Sequence, residues 1–186
     1  MKIAAITCAR MDSIRFPGKC LTLLNGKSLL QYTIDFAKTI DIQHFIWTRD
    51  LEIMEFVGQQ IPILFEPQYL YDTRENTTYE KMQYANRILK CDYLILLQPT
   101  HPVRNKKEIE GWIQHFTFAP GNGYGYTMEY TGDSPDGAFY IYSKEYLEKG
   151  IGIIQIYKQR KCFDINNKED LEECAEWLQK HDSSLN

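Results

Sequence analysis

The stretch Ile3-Ala4-Ala5-Ile6-Thr7, continuing into Cys8-Ala9-Arg10-Met11-Asp12-Ser13-Ile14-Arg15-Phe16-Pro17-Gly18-Lys19, decides how the chain is read. A short apolar run of strand character ends in a loop holding three cations, a hydroxyl, a glycine and a proline. Free backbone N–H groups in such a loop form a concave nest for anions, and fixed cations neutralise charge on phosphate oxygens. Arginine offers phosphate a planar fork, and lysine a point charge. Pro17-Gly18 stiffens the loop and then lets the backbone turn back. The spacing is neither that of a Walker A loop nor G-x-G-x-x-G, so the passage points to a polyphosphate held in another way.

Outward from this loop, short β-rich runs alternate with stretches of helical period. Leu29, Leu30, Thr33, Ile34 and Ala37 share one helix face, His44–Thr48 reads as a strand, and Ile53, Phe56 and Val57 mark a second helix. Pro62–Phe65 reads as a short strand and Tyr93–Leu97 as a buried central one, with late strands at Ala138–Tyr142 and Ile151–Tyr157. Capping pairs Thr77/Glu80, Asn105/Glu108 and Asn167/Asp170 open three further helices, the first running to about Lys90. Pro120–Gly123 marks a loop, and the tail from Asp182 is expected to fray. This alternation predicts one α/β domain over residues 1–186, with a mainly parallel sheet between helices. Such sheets bind ligands beyond the carboxyl ends of their strands, which directs attention to the loops after Thr7 and Leu97.

The formal net charge of −4 disfavours a broadly basic nucleic-acid-binding surface. Five scattered cysteines without C-x-x-C spacing indicate neither a disulfide framework nor a zinc cage. No segment approaches the roughly 20 apolar residues of a membrane span, and no secretory signal is visible, so no membrane association and a cytoplasmic location are expected.

Ala9-Arg10-x-x-Ser13-x-Arg15-x-Pro17-Gly18-Lys19-x-Leu21, followed by Asn25-Gly26-Lys27-Ser28-Leu29-Leu30-x-Tyr32-Thr33-Ile34, resembles the opening of the cytidylyltransferase family. That family includes acylneuraminate cytidylyltransferases, 3-deoxy-manno-octulosonate cytidylyltransferases and spore-coat polysaccharide proteins. Leu96-Leu97-Gln98-Pro99-Thr100-His101-Pro102-Val103-Arg104 resembles the LLQPTSPLR segment of the acylneuraminate branch. Ser134–Ile141 resembles the NGAIYI strand, and Cys162–Leu171 the closing IDIDTPEDL signature. The resemblance implies a three-layer α/β/α, Rossmann-like nucleotidyltransferase fold of the nucleotide-diphospho-sugar transferase type. It further implies transfer of CMP from CTP to a nonulosonic, sialic-acid-like sugar acid, with release of pyrophosphate. By the same resemblance Ala9, Arg10, Ser13, Arg15 and Lys19 bind the nucleotide, with Arg10 and Lys19 catalytic. Gln98 and Thr100 meet the sugar, and Asp164 and Asn166, side by side on one strand face, hold Mg2+.

The chain departs from that pattern in places. Asn166 stands where the family has a second aspartate, Cys20 where it commonly has Asn, and Glu66-Pro67 where it commonly has Arg-Pro. Arg74 is a candidate for the missing cation. His101 replaces a small serine and is not expected to be a catalytic base. Only Tyr130–Asp136 occupies the place where sialic-acid synthetases carry a long dimerisation insertion, so a monomer or a differently built dimer is expected. Two alternatives stand beside the leading reading. One is the same fold with another nucleotide or sugar, of octulosonate or spore-coat type. The other is a degenerate, non-catalytic nucleotide- or sugar-binding homologue.

Overall fold

The computed structural model describes residues 1–72, 78–118, 123–129, 135–159 and 161–181. β1 (Ile3–Cys8) leads through the loop to a short 3-10 turn (Lys19–Leu21), a small hairpin of β2 (Leu23–Leu24) and β3 (Lys27–Ser28), and α1 (Leu29–Thr39). β4 (Gln43–Thr48), α2 (Leu51–Val57), β5 (Ile63–Phe65), α3 (Gln68–Asp72) and α4 (Thr78–Leu89) follow. Then come β6 (Tyr93–Leu96), α5 (Lys106–Phe118), β7 (Gly123–Glu129), β8 (Tyr140–Ser143), α6 (Lys144–Lys149), β9 (Ile153–Gln159) and α7 (Lys168–His181).

The main sheet has seven strands in the order β5-β4-β1-β6-β8-β7-β9. Pairings are parallel except those of β8 with β6 and with β7, so β8 alone runs against its six companions. The expected mainly parallel sheet and the expected three layers are both present. Alternation along the strands sorts the core. Ala4, Ile6, Trp47, Leu94, Leu96 and Tyr142 face Met82 and Ala85 of α4 and Leu147 of α6. On the opposite face, Ala5, Ile95 and Ile141 meet Ala37 of α1 and Ile109, Ile113 and Phe116 of α5, while Ile46 meets Leu30, Ile34, Ile53 and Val57.

Local chemistry explains the helix ends. Ser28 caps α1 by accepting the Gln31 N–H, and Asn105 Oδ1 accepts the Glu108 N–H at 3.2 Å. At α7, Asn167 and Asp170 accept each other's backbone N–H at 2.9 and 3.1 Å, the reciprocal box the sequence predicts. The expected Thr77 cap, the Pro120–Asn122 part of the loop, Arg74 and the tail from Asp182 lie outside the described residues. β8 begins at Tyr140 and β9 at Ile153, each two residues later than the sequence pattern predicts.

The face under α1 carries one buried imidazole. His44 Nε2 shares a hydrogen bond of 2.8 Å with Thr7 Oγ1, and burial pushes its pKa down to about 3, with the Arg104 charge acting in the same direction. An unfolded chain protonates this histidine near 6.5. Below that pH the unfolded state binds a proton that the folded state refuses, so stability is complete above about 6.5 and falls as the pH drops. The urea midpoint is therefore expected to fall between pH 7 and pH 5, with a shallower fall in His44→Gln.

Candidate active site

At the carboxyl edge of β1 and β6 lies a cleft of about 260 Å3, lined among others by Arg10, Ser13, Lys19, Lys81, Gln98 and Thr100. The loop after β1 forms one wall. Ala9 is fully buried and its N–H donates to the Trp47 carbonyl at 3.0 Å, while the Met11 N–H donates to Asp50 Oδ2 at 2.8 Å. Gly18, with φ 70°, turns the chain back so that its N–H reaches the Met11 carbonyl at 3.0 Å. The polar wall is therefore held in shape by the backbone before any ligand arrives.

The cations of this loop divide into two groups. Arg10 grips the carboxylate of fully buried Glu66 with Nε and Nη2, and also donates to the Leu70 carbonyl at 3.0 Å. Lys81 Nζ reaches the same carboxylate at 3.3 Å. Burial opposes the Arg10 charge, but the hydrogen bond and attraction of Glu66 prevail and raise its pKa. Two cations thus share one buried anion, with the Asp12 carboxylate also acting on Arg10. Sequence reasoning flags Glu66 as an anomaly without finding its partner. Lys81, a full helical turn inside α4, carries no local motif.

Arg15 and Lys19 converge elsewhere, on Asn166. Its Oδ1 accepts from Arg15 Nη2 at 2.7 Å and faces Lys19 Nζ at 3.5 Å, and its Nδ2 donates to Asp164 Oδ2 at 2.7 Å. Burial lowers the Lys19 pKa, Asp164 opposes that fall, and Arg15 adds to it. Asp164 and Asn166 do not sit on a strand, contrary to the expectation. Cys162–Asn166 is extended but lies outside the sheet, because the Ile165 N–H bonds to the Thr100 carbonyl at 2.9 Å rather than to a strand ladder. The alternation survives nonetheless: Phe163 and Ile165 are buried against α7, and Asp164 and Asn166 face outward between them.

Gln98 and Thr100 line the same cleft. Thr100 Oγ1 shares a hydrogen bond with His101 Nδ1 at 2.9 Å, and His101 Nε2 meets the Asp136 carbonyl and stands 3.8 Å from Asp164 Oδ1. Burial pushes the His101 pKa down to about 4, so at neutral pH it is an uncharged strut joining three loops. Gly137, at φ 88°, makes room for it: a Cβ there would stand 2.7 Å from His101 Cε1. Asp136, in place of the family's Asn, uses Oδ1 to accept from Thr127 Oγ1 at 2.5 Å and from the Ala138 N–H at 3.0 Å. Either residue type can supply that oxygen. Arg104, given no role by the sequence, donates to the Gln98 and Ala138 carbonyls and to Thr33 Oγ1, locking the ends of β6 and β8 to α1.

None of the five cysteines is in a disulfide, and burial pushes Cys8 up to about 12 and Cys20 upward. For a metal, the segment beside the cleft at Lys19 offers the Asp164 carboxylate and the Asn166 amide oxygen. Among the described residues no group of three or more His, Cys, Asp or Glu side chains gathers for one. A hard cation fits on those terms, since Mg2+ commonly takes one or two protein oxygens and completes its shell with phosphates and water. The Asn166 oxygen, turned to Arg15 and Lys19, must rotate to join it.

The cytidylyltransferase family profile matches residues 4–127, two thirds of the chain. The chain belongs to the cytidylyltransferase family. It is 27% identical over 121 residues to a 3-deoxy-manno-octulosonate cytidylyltransferase of Bdellovibrio bacteriovorus, an alignment covering 64% of this chain and 48% of that one. The chain thus spans about half the length of the relative it matches. Solved structures share the fold at low identity. A CMP:2-keto-3-deoxy-manno-octonic acid synthetase complexed with CTP superposes with a TM-score of 0.79 at 14% identity, covering 97% of this chain and all of the other. Rv0371c of Mycobacterium tuberculosis, in complex with manganese, superposes at 0.69 with 13% identity, covering 94% and 98% of the two chains. As a cytidylyltransferase-family chain it has no described helix long and apolar enough to cross a membrane.

Proposed function

We propose that this chain transfers CMP from CTP to the anomeric hydroxyl of an acidic sugar of the 3-deoxy-octulosonate class, releasing pyrophosphate. The observation that carries the proposal is the row Arg15–Asn166–Asp164 with Lys19 beside it, set at the edge of a preformed cleft in a cytidylyltransferase fold. The acceptor class follows the curated relative. A nonulosonic acceptor is the second reading, favoured by Gln98-Pro99-Thr100 at the end of β6.

In this mechanism the acceptor hydroxyl attacks the α-phosphorus as the bond to the pyrophosphate oxygen breaks. Positioning and charge neutralisation do the work, without covalent chemistry by the protein. Arg15 and Lys19 neutralise the leaving phosphates, the loop from Ala9 to Ser13 presents backbone and hydroxyl donors, and Gln98 and Thr100 orient the sugar. Arg10, bound to Glu66, acts at the opposite end of the cleft. Asp164 and Asn166 would hold Mg2+, whose contribution when bound is to polarise phosphate oxygens.

The test is pyrophosphate release from CTP and Mg2+ with octulosonic, sialic, legionaminic and pseudaminic acids. Turnover is expected with the octulosonic acid first, and none with any acid in a folded sample would sink the proposal. Asn166→Asp supplies a second check. Without metal the new carboxylate is repelled by Asp164 and attracted by Arg15 and Lys19, whereas with Mg2+ the pair of carboxylates binds the cation more tightly. The Mg2+ concentration for half-maximal rate is expected to fall about tenfold, roughly the effect of 1.4 kcal/mol. An unchanged Mg2+ dependence removes Asn166 from the metal site.

A further inference from the structure

A second cavity adjoins the cleft. It measures about 370 Å3, within the range of small-molecule sites, and is lined by Thr78, Tyr79, Tyr124, Tyr140, Tyr142 and Tyr146. Thr78 lines the cleft as well, so the two spaces share a wall. Tyr140 also lies close enough to Asp136 and Asp164 for their charges to act on it. The cavity meets the ligand edge at Thr78 and Tyr140 and runs back along the α4 and α6 face past Tyr124, Tyr142 and Tyr146.

Its construction differs in kind from that of the cleft. The cleft has Arg10, Asp12, Lys19 and Lys81 in its lining, whereas among the described residues this cavity is lined by no ionisable side chain apart from tyrosine hydroxyls. The Tyr124 ring lies nearly parallel to those of Tyr140 and Tyr146, at 8° and 14° with centroids 6.0 and 5.6 Å apart. Tyr79 meets Tyr146 edge-on at 5.6 Å and donates its hydroxyl to the Tyr146 carbonyl at 2.9 Å, which fixes the outer wall. Rigid rings present flat carbon faces, and their hydroxyls both donate and accept hydrogen bonds. Those surfaces suit a ligand that alternates C–H faces with hydroxyl or amide groups and carries no charge.

We infer that the tyrosine-lined cavity receives the uncharged end of the acceptor, the hydroxylated or acylated carbon chain remote from its carboxylate and anomeric centre. The inference rests on the proposed function. It adds that the two halves of the acceptor are recognised by different chemistry: the acidic end in the ionic cleft, the neutral end on tyrosine. Acceptor selection therefore resides in α4, β7, β8 and α6 rather than in the nucleotide loop.

Tyr146→Ala tests this, with Tyr79→Leu as a second variant should the first fail to fold, and Tyr146→Phe as the conservative control. The acceptor KM is expected to rise at least tenfold in Tyr146→Ala and to stay near wild type in Tyr146→Phe, with the CTP KM within twofold throughout. An acceptor KM within twofold of wild type in both ring-removing variants overturns the inference. Loss of turnover with every acid in the wild-type protein would instead count against the proposed function. Saturation-transfer NMR then decides the cavity separately, with 3-deoxy-manno-octulosonate and N-acetylneuraminate as probes. Saturation of the tail protons of either probe from aromatic protein resonances, lost in Tyr146→Ala, supports the inference, and no tail saturation for either probe overturns it.

Discussion

Glu66→Ala is expected to lose about 3 kcal/mol of folding stability, the lower end of the cost of orphaning a buried charge. Glu66 is fully buried and is the shared anion of Arg10 and Lys81, whose side chains are 20% and 13% exposed. Removing it leaves two cations facing each other across a cavity, with too little solvent to screen them. The small residual exposure lets both heads turn toward the cleft, which keeps the loss at the low end of the range. Urea unfolding should show a lower midpoint at unchanged slope. Glu66→Ala with Lys81→Met should recover part of the loss, because one of the two stranded charges is gone. No recovery would mean that Glu66 stabilises the fold by some means other than holding cations. Activity should suffer beyond what stability explains, since Arg10 is released from its fixed position beside the nucleotide loop.

Lys19→Met is expected to lower kcat/KM by about 10²–10³, the usual cost of one donor that meets charge developing in the transition state. Lys19 follows Gly18 at the start of the 3-10 turn, and its ammonium faces Asn166 beside Asp164. If it acts mainly on the departing pyrophosphate, kcat falls with kcat/KM and the CTP KM changes little. A rise in KM at constant kcat would assign Lys19 to ground-state binding alone. The rate should also fall on the alkaline side at a pH below the ordinary lysine value, because burial lowers the Lys19 pKa against the pull of Asp164. Lys19→Arg, which keeps its charge at high pH, should remove that alkaline limb.

Much of the fold is legible in the chain because it rests on short-range signals. The buried run at Tyr93–Leu96, the capping residues Asn105 and Asn167, and the helical period of α1 each depend on residues within four positions. The first loop is legible for the same reason: its cations, glycine and proline are contiguous, and Ser13, Lys19, Gln98 and Thr100 do line one cleft. What escapes the sequence is long-range pairing. Glu66 and Lys81 are 15 positions apart, and Asn166 is 151 from Arg15, so nothing local announces either contact. The same holds for the tyrosines, which come from four elements and show no period in the chain. The family resemblance places Asp164 and Asn166 on a strand face, and the alternation it implies is present although the strand is not. Alternation reports one buried face, and a loop pinned to Thr100 satisfies it as well as a ladder does.

The reversed direction of β8 has a consequence for how such a protein can change. β7 runs with β1 and β6 and ends at the ligand edge, and β8, running the other way, starts from that same edge. The connection from β7 to β8 therefore starts and finishes at one edge of the sheet. Its length and composition can be altered while the strand register, the α1 and α5 layer and the nucleotide loop stay untouched. A change there is confined to one edge of the sheet, so that edge can vary among relatives while the rest of the fold is kept.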